Sequence, residues 1–344
     1  GIGYTSFRIR GTDMNRINVG INGIPLNDAE SHGTWFVDQP DMASSLENVQ
    51  IQRGAGTSSN GAAAFGATIN LQTSTFKPDA YAEYKTAAGS FNTFKNTVLA
   101  GTGLINGKFT VDARLSKVVS DGYMDRAHAD LKSFYISSGY FSEKTVLKAV
   151  IFSGYEKTYQ AWNGVPSEML ANNRTYNNAG EYTDENGITN YYENQVDDYQ
   201  QDHFQLHFSH NFSQKLSLNT SVHYTHGSGF YENYKEDEEL ADYQIPPVSI
   251  GSETVETSDL INQKWLDNDF YGVVYSLNYR NKLTDFTFGG GYNIYDGDHI
   301  GKVIWAQFAG NIKPDHEWYR SNGLKKDFNV FARYNFNLHE KINL

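Results

Sequence analysis

Cysteine is absent from the 344 residues, which excludes disulfides and thiolate metal sites and fits an exported protein stabilised by a closed sheet. Proline is scarce, 7 residues against 31 glycines, a balance that suits many short strands joined by turns. No apolar run approaches the roughly 18 residues a membrane-spanning helix needs, and a mean hydropathy of −0.57 excludes a helical membrane protein. Basic runs are missing as well. The formal charge of −12 argues against a nucleic-acid or anionic-lipid partner. Nucleophile elbows, zincin motifs and catalytic carboxylate pairs at a recognisable spacing are lacking, so neither catalysis nor a cofactor is expected. None of these absences excludes a membrane β-barrel, whose strands alternate lipid-facing apolar with lumen-facing polar residues and so average to a hydrophilic chain.

Small residues concentrate in one stretch, Leu46 to Thr73, where two short alternating apolar runs bracket a segment of Gly, Ala, Ser and Thr. The pattern predicts strand, tight loop, strand. Gly54, Gly56, Gly61 and Gly66 allow a backbone to approach something larger at close quarters. A phosphate cradle is excluded by composition, because no Lys lies between Arg53 and Lys77 to complete a Gly-Lys-Ser/Thr ending. The preceding residues predict short strands broken by Asn-Gly and Gly-Ile-Pro turns, with a helical turn over 41–48 capped by Asp41, which makes residues 1–75 an α+β module.

From about Pro78 the pattern becomes a succession of strands. Short turns at 105–108, 142–144, 213–215, 280–283 and 338–341 alternate with long connections near 118–130, 156–201, 226–268 and 295–326, with one short exception at Gly89-Ser90. Meandering antiparallel strands then place short turns at one rim and long loops at the other, as in outer-membrane barrels. Period-2 alternation supports this. Phe204, Leu206 and Phe208 alternate with His203, Gln205 and His207, and Phe286, Phe288, Tyr292 and Ile294 oppose Thr287, Gly289, Gly291 and Asn293. Aromatics, 15% of the chain, gather at strand ends as interfacial girdles do. About ten strands are expected, with an eleventh beginning at Ile342. Open sheet edges cannot persist in lipid, so the sequence reads as a piece of a longer protein, a reading to which Gly1, without Met or signal peptide, adds.

Arg10-Gly11, Arg16, Val19, Asn22-Gly23-Ile24-Pro25-Leu26-Asn27, Asp38, Pro40, Ser44-Ser45-Leu46-Glu47, Gln52-Arg53-Gly54, Gly61, Ala64-Phe65-Gly66 and Ile69-Asn70-Leu71 resemble the plug domain of TonB-dependent outer-membrane receptors in order and spacing. Ala88 to Thr93, Ser120 to Tyr123 and Tyr155 to Pro166 extend the resemblance into the barrel. The resemblance implies a mainly β fold: a transmembrane antiparallel β-barrel, of 22 strands in the family, with an α+β plug inside. Residues 1–76 would be the C-terminal part of the plug and 77–344 the first part of the barrel. It also implies residence in the outer membrane of a Gram-negative bacterium, contact with its lipid, and energising by TonB with ExbB and ExbD. Arg10 and Arg53 fall where plug arginines pair with wall carboxylates as a latch, and Gly11, Gly23, Gly54, Gly61 and Gly66 form the glycine framework. Departures are Asn22 for the usual Asp, Ala55 for Pro and Ala67 for a second Gly.

Ligand recognition is expected on the loops. Trp162, Tyr191, Tyr192, Tyr231, Trp265 and Trp305 suit stacking on a planar or sugar-like ligand, or else packing of the loops on each other. His32 and Trp35 lie in an apical plug loop. Asp296, Asp298 and His299 offer a weak divalent-cation site without EF-hand spacing. His203 and His207 are about 13 Å apart along a strand, too far for one metal; His207 and His223 are candidate cross-strand neighbours in a polar lumen lining. The expected activity is energy-coupled uptake of a scarce extracellular small molecule, foremost an iron–siderophore complex, with haem, cobalamin and glycans behind; the acidic loops favour a neutral or cationic chelate. The rival readings are a soluble secreted glycan-binding or adhesion protein, and a barrel that acts only as a surface receptor.

Overall fold

In the computed structural model, residues 2–55, 65–73, 77–339 and 342–343 are described. Near the N-terminus β1 (Arg8–Ile9) pairs with β2 (Thr12–Asp13), turned by Arg10 and Gly11 at positive φ. Four strands follow as one small sheet, β3 (Ile17–Ile21), β4 (Ile24–Pro25), β5 (Leu46–Arg53) and β6 (Ala67–Thr73), in the order β4-β3-β6-β5. β3 and β6 run parallel, which places Ile17, Val19 and Ile21 beside Ala67, Ile69 and Leu71. Asn22 and Gly23, with φ of 55° and 83°, make the tight β3–β4 turn, the left-handed pair that Asn-Gly supplies at least cost. The helical turn expected over 41–48 is a 3-10 turn, Met42–Ser45, and Asp41 before it is left-handed. Its side chain binds elsewhere, so a regular helix cap is not made.

The rest is a continuous meander of eleven antiparallel strands: β7 (Tyr81–Gly89), β8 (Thr93–Gly101), β9 (Phe109–Ser120), β10 (Ala129–Phe141), β11 (Thr145–Tyr159), β14 (Val196–Asn211), β15 (Leu216–Glu239), β18 (Thr257–Arg280), β19 (Thr284–Ala306), β20 (His316–His339) and β21 (Ile342–Asn343). Two small hairpins, β12 (Glu181–Thr183) with β13 (Thr189–Tyr191) and β16 (Val248–Ile250) with β17 (Glu253–Val255), decorate the long connections. Short turns and long connections alternate as expected. The long connections are shorter than expected because the strands run on. Residues 226–239, 257–268, 295–306 and 316–326 are paired strand in β15, β18, β19 and β20. Apolar residues there, Leu260 and Val303 among them, are buried with Leu240, Tyr243 and Ile245 of the intervening connection, which breaks the period-2 signal.

Burial along these strands is inverted relative to a soluble sheet. On β14 Phe204 and Leu206 are 42% and 43% exposed, while His203 and Gln205 between them are each 5% exposed. The greasy face looks out and the wet face looks in, the arrangement lipid demands. No helix among the described residues is long and apolar enough to cross a membrane, which says nothing of strands. Register sharpens one expectation: His207 and His223 are cross-strand neighbours on the diagonal, with His223 directly across from Gln205 and His207 from Ser221. His203 and His223 instead take hydroxyl and amide partners, Thr225 at 3.0 Å and Asn293 at 2.9 Å, as lumen lining.

Candidate functional site

The inner face of the long sheet carries the N-terminal module, and the two meet in two unlike ways. Against β10 and β11 the contact is dry. Ile17, Val19, Ile21, Ile69 and Leu71 pack with Tyr135, Val150 and Phe152 in one buried cluster. At Gly154 of β11 the module's backbone touches the wall: a Cβ there would lie 1.8 Å from the Asp38 carbonyl oxygen and 2.8 Å from Pro40 Cδ. No L side chain fits such an approach.

Beside that contact stands Asp41, whose side chain is 1% exposed. Its carboxylate accepts from Lys95, from Thr97 Oγ1 at 2.6 Å and from Ser116 Oγ at 2.8 Å, all on the wall, and from Ser44 Oγ at 2.6 Å. Burial alone would raise its pKa, but these donors outweigh burial and hold it below the usual carboxylate range. Arg114 Nη1 lies 3.6 Å away and donates to Ser133 Oγ at 3.0 Å, while its Nε and Nη2 have no partner among the described residues.

Next to it is an acidic knot. Tyr4 donates to Asp197 Oδ2 at 2.6 Å, with its hydroxyl 2.9 Å from Thr158 Oγ1. Asp38 and Glu156 are 8% and 2% exposed, and Glu156 Oε2 has no partner among the described residues. Burial, with the charge of Asp197 second, pushes Asp38 up to about 8. Burial and then the charges of Glu156 and Asp197 push the Tyr4 hydroxyl up as well. The knot therefore keeps a proton at neutral pH. Among the described residues no group of three or more His, Asp or Glu is placed to hold a metal ion.

Residues 1–68 match the profile of the TonB-dependent Receptor Plug Domain. They are that plug. The chain has the plug-and-barrel fold of TonB-dependent receptors, and solved structures support this along its length. It is similar to the copper transporter OprC (TM-score 0.70, 13% identity, 98% of this chain and 48% of that one). It is likewise similar to the ferric-catecholate import receptor Fiu from E. coli K12 in its open form (0.68, 14%, 98% and 53%) and to the ferripyoverdine receptor of the Pseudomonas aeruginosa outer membrane (0.63, 14%, 99% and 47%). Identities this low show the fold alone. The chain spans about half the length of the structures it matches. No curated protein sequence matches it.

Within the plug, Arg10 and Arg53 are exposed and form no ion pair among the described residues. Arg53 ends β5, the outer strand of the plug sheet, and Arg10 sits in the β1–β2 turn. The buried plug–wall ion contact has the opposite polarity, a plug carboxylate meeting wall cations, and Asp41 carries no sequence mark beyond its place before a turn. Of the glycine framework, Gly11, Gly23 and Gly54 take positive φ, Gly66 donates to the Arg16 carbonyl at 2.9 Å, and Gly61 lies outside the described residues, as does Gly56.

The aromatic candidates gather above the plug in pairs. Trp162 meets Tyr231 at 6.1 Å and the plug's Tyr4 at 6.0 Å. Tyr192 and Trp305 flank Tyr234 at 5.9 and 6.4 Å, Trp265 packs on Phe230 at 4.6 Å, and Arg126 covers Tyr191 at 3.6 Å. Packing between loops thus takes up much of this surface, yet Trp162 and Trp305 stay 45% exposed. Asp296, Asp298 and His299 are strand residues that do not meet as a trio, although Asp296 and Asp298 share the Asn322 amide at 2.6 and 2.9 Å. Asp298 pairs with Arg320 at 2.9 Å, Asp296 takes Asn322 at 2.6 Å, and His299, on the opposite face, meets the plug's Glu30 at 2.9 Å.

The second plug–wall meeting is a cleft of about 370 Å³ between the turn-rich plug segment 18–32 and strands β15, β18, β19 and β20. His32, left-handed at φ 58°, lies on its edge, whereas Trp35, 44% exposed, is not among its lining residues. This cleft had no sequence signature, since its walls come from strands far apart in the chain.

Proposed function

We propose that this protein is a TonB-dependent outer-membrane receptor for energy-coupled uptake of an extracellular metal chelate, most closely a ferric siderophore complex. The observation that carries the reading is a plug seated on the polar inner face of a sheet whose outer face is apolar, with exposed aromatics above it. A ligand held at Trp162 would touch Tyr4, and Tyr4 is bonded to the wall at Asp197, so occupancy can be felt by the plug. TonB, driven through ExbB and ExbD, would then displace the plug. The division into a plug portion, 1–76, and a barrel portion, 77–344, belongs to the same proposal, and so does location in the lipid of a Gram-negative outer membrane. Arg10 and Arg53 remain proposed latch residues toward carboxylates outside the described wall.

The test is growth of a deletion strain on defined iron, haem, cobalamin and glycan sources. Failure on one ferric chelate, restored by the intact gene and not by a Trp162→Ala, Tyr231→Ala copy, is the expected result. Normal growth on every source would overturn the uptake reading.

A further inference from the structure

The plug loop between Asp28 and Gly33 closes one end of the cleft, and its attachment to the wall is unusually specific. Glu30 Oε2 accepts from the Tyr295 hydroxyl at 2.9 Å and lies 2.9 Å from His299 Nε2. Lys325 Nζ donates to the Ala29 carbonyl at 2.8 Å. Beneath these groups the wall is bare, because Gly297 of β19 pairs directly with Gly323 of β20. A Cβ on Gly323 would lie 2.5 Å from Glu30 Oε1, and one on Gly297 would lie 2.4 Å from the Tyr295 hydroxyl. Two opposed glycines therefore make a seat into which the carboxylate and its phenol donor fit.

The loop is folded as a unit before it reaches that seat. Asn27 accepts from Val19 N–H at 2.7 Å and donates to the carbonyls of Ile17 at 2.9 Å and His32 at 2.8 Å. Asp28 Oδ1 takes Ser31 N–H at 2.6 Å and Ser31 Oγ at 2.7 Å. Glu30 and His299 are 37% and 39% exposed, so the seat is screened by water and its hold is modest, unlike the buried Asp41 contact.

The cleft behind the loop is lined mainly by uncharged polar and aromatic groups. Asn219, Asn293, Ser276 and Tyr275 offer amides and hydroxyls between the rings of Phe270 and Phe331. Its charged groups are engaged: Asp28 by the loop, Lys325 by Ala29, and Asp327 by Asn329 at 3.4 Å. Its size falls within the range of about 300–1,000 Å³ usual for small-molecule sites, and aromatic faces with amide side chains suit an uncharged molecule bearing hydroxyls and amides.

We propose that this cleft is a transit site for an uncharged, hydroxyl- and amide-bearing ligand and that Glu30 is the latch of the plug loop that closes it. The proposal rests on the uptake reading but is tested without growth or uptake. Ser276→Cys is introduced into the full-length receptor in proteoliposomes, and modification by a small uncharged maleimide is timed; this chain contributes no other thiol. Glu30→Ala should speed modification about tenfold, the change that about 1.4 kcal/mol of latch energy sets. Gly323→Ala, which leaves the plug untouched, should do the same by displacing the carboxylate, and Glu30→Gln should fall between. A neutral ferric trihydroxamate should slow modification of the opened variants, with maltotriose as the second arm separating a chelate from a sugar source; ferric citrate, an anion, should not. Equal rates in the parent, Glu30→Ala and Gly323→Ala would overturn the latch. Protection by ferric citrate alone, or by none of the three, would overturn the assigned ligand chemistry even where growth assays uphold uptake.

Discussion

The plug meets β8 to β11 and β15 to β20 by different physics. On the first side there is an apolar cluster, a glycine contact and a buried carboxylate facing Lys95 and Arg114; on the second there are amides, open volume and one water-screened latch. Buried ionic contacts are strongly unfavourable to break one partner at a time, whereas exposed ones contribute little. A pull on this plug should therefore free the β15–β20 side first and pivot on the β8–β11 side. Release of a ligand would then need only part of the plug to move.

The largest effect should come from Asp41→Ala, which strands Arg114 in a dry contact and should cost about 3–5 kcal/mol of plug docking. Protease protection of the plug in the full-length protein, measured against denaturant, reports it; unchanged protection would erase the contrast between the two sides. Gly154→Ala should cost about 1–3 kcal/mol, because the methyl meets backbone rather than a flexible side-chain end. Asp38 adds a pH effect of its own. Docked, it holds its proton up to about pH 8, against an ordinary value of 3.8. Between those values the docked state binds more protons than the free one, so docking should weaken as pH rises from 3.8 toward 8 and level off outside that window. Tyr4, Glu156 and Asp197 face the same knot. Asp38→Asn should flatten the slope, and protection that rises with pH in the parent across this window would contradict the knot. Asp41, held low, acts at the acid end, where its contribution is lost as pH falls through its depressed pKa. The smallest effect is expected on the cleft side, where Asn70→Ala should change docking by no more than about 0.5 kcal/mol.

Sequence patterning carried the fold far because a barrel strand has two solvents, and alternation such as Phe204-Gln205-Leu206 records both. It also carried the plug, through small residues that must sit close to a wall. It did not carry the outer halves of β15, β18, β19 and β20, where residues such as Leu260 and Val303 are buried against the 240–245 segment and simple alternation is broken. Nor did it carry the site. Asp41 finds Lys95 and Arg114, and Glu30 finds Tyr295 and His299, across separations far beyond any local window, through register no local pattern encodes. The metal reading of Asp296, Asp298 and His299 loses its third ligand for the related reason that His299, next to Asp298 on the strand, points to the opposite face.

Strand length has one further consequence. β7 and β8 have nine residues each, about 30 Å at roughly 3.4 Å per residue, while β15, β18 and β20 have 24 each, about 80 Å. The upper edge of this wall is thus a slope, low at one flank and high at the other, and Tyr231, Trp265 and Trp305 stand on the high flank. The aromatic faces in this part of the chain are therefore presented on one flank rather than evenly along the wall.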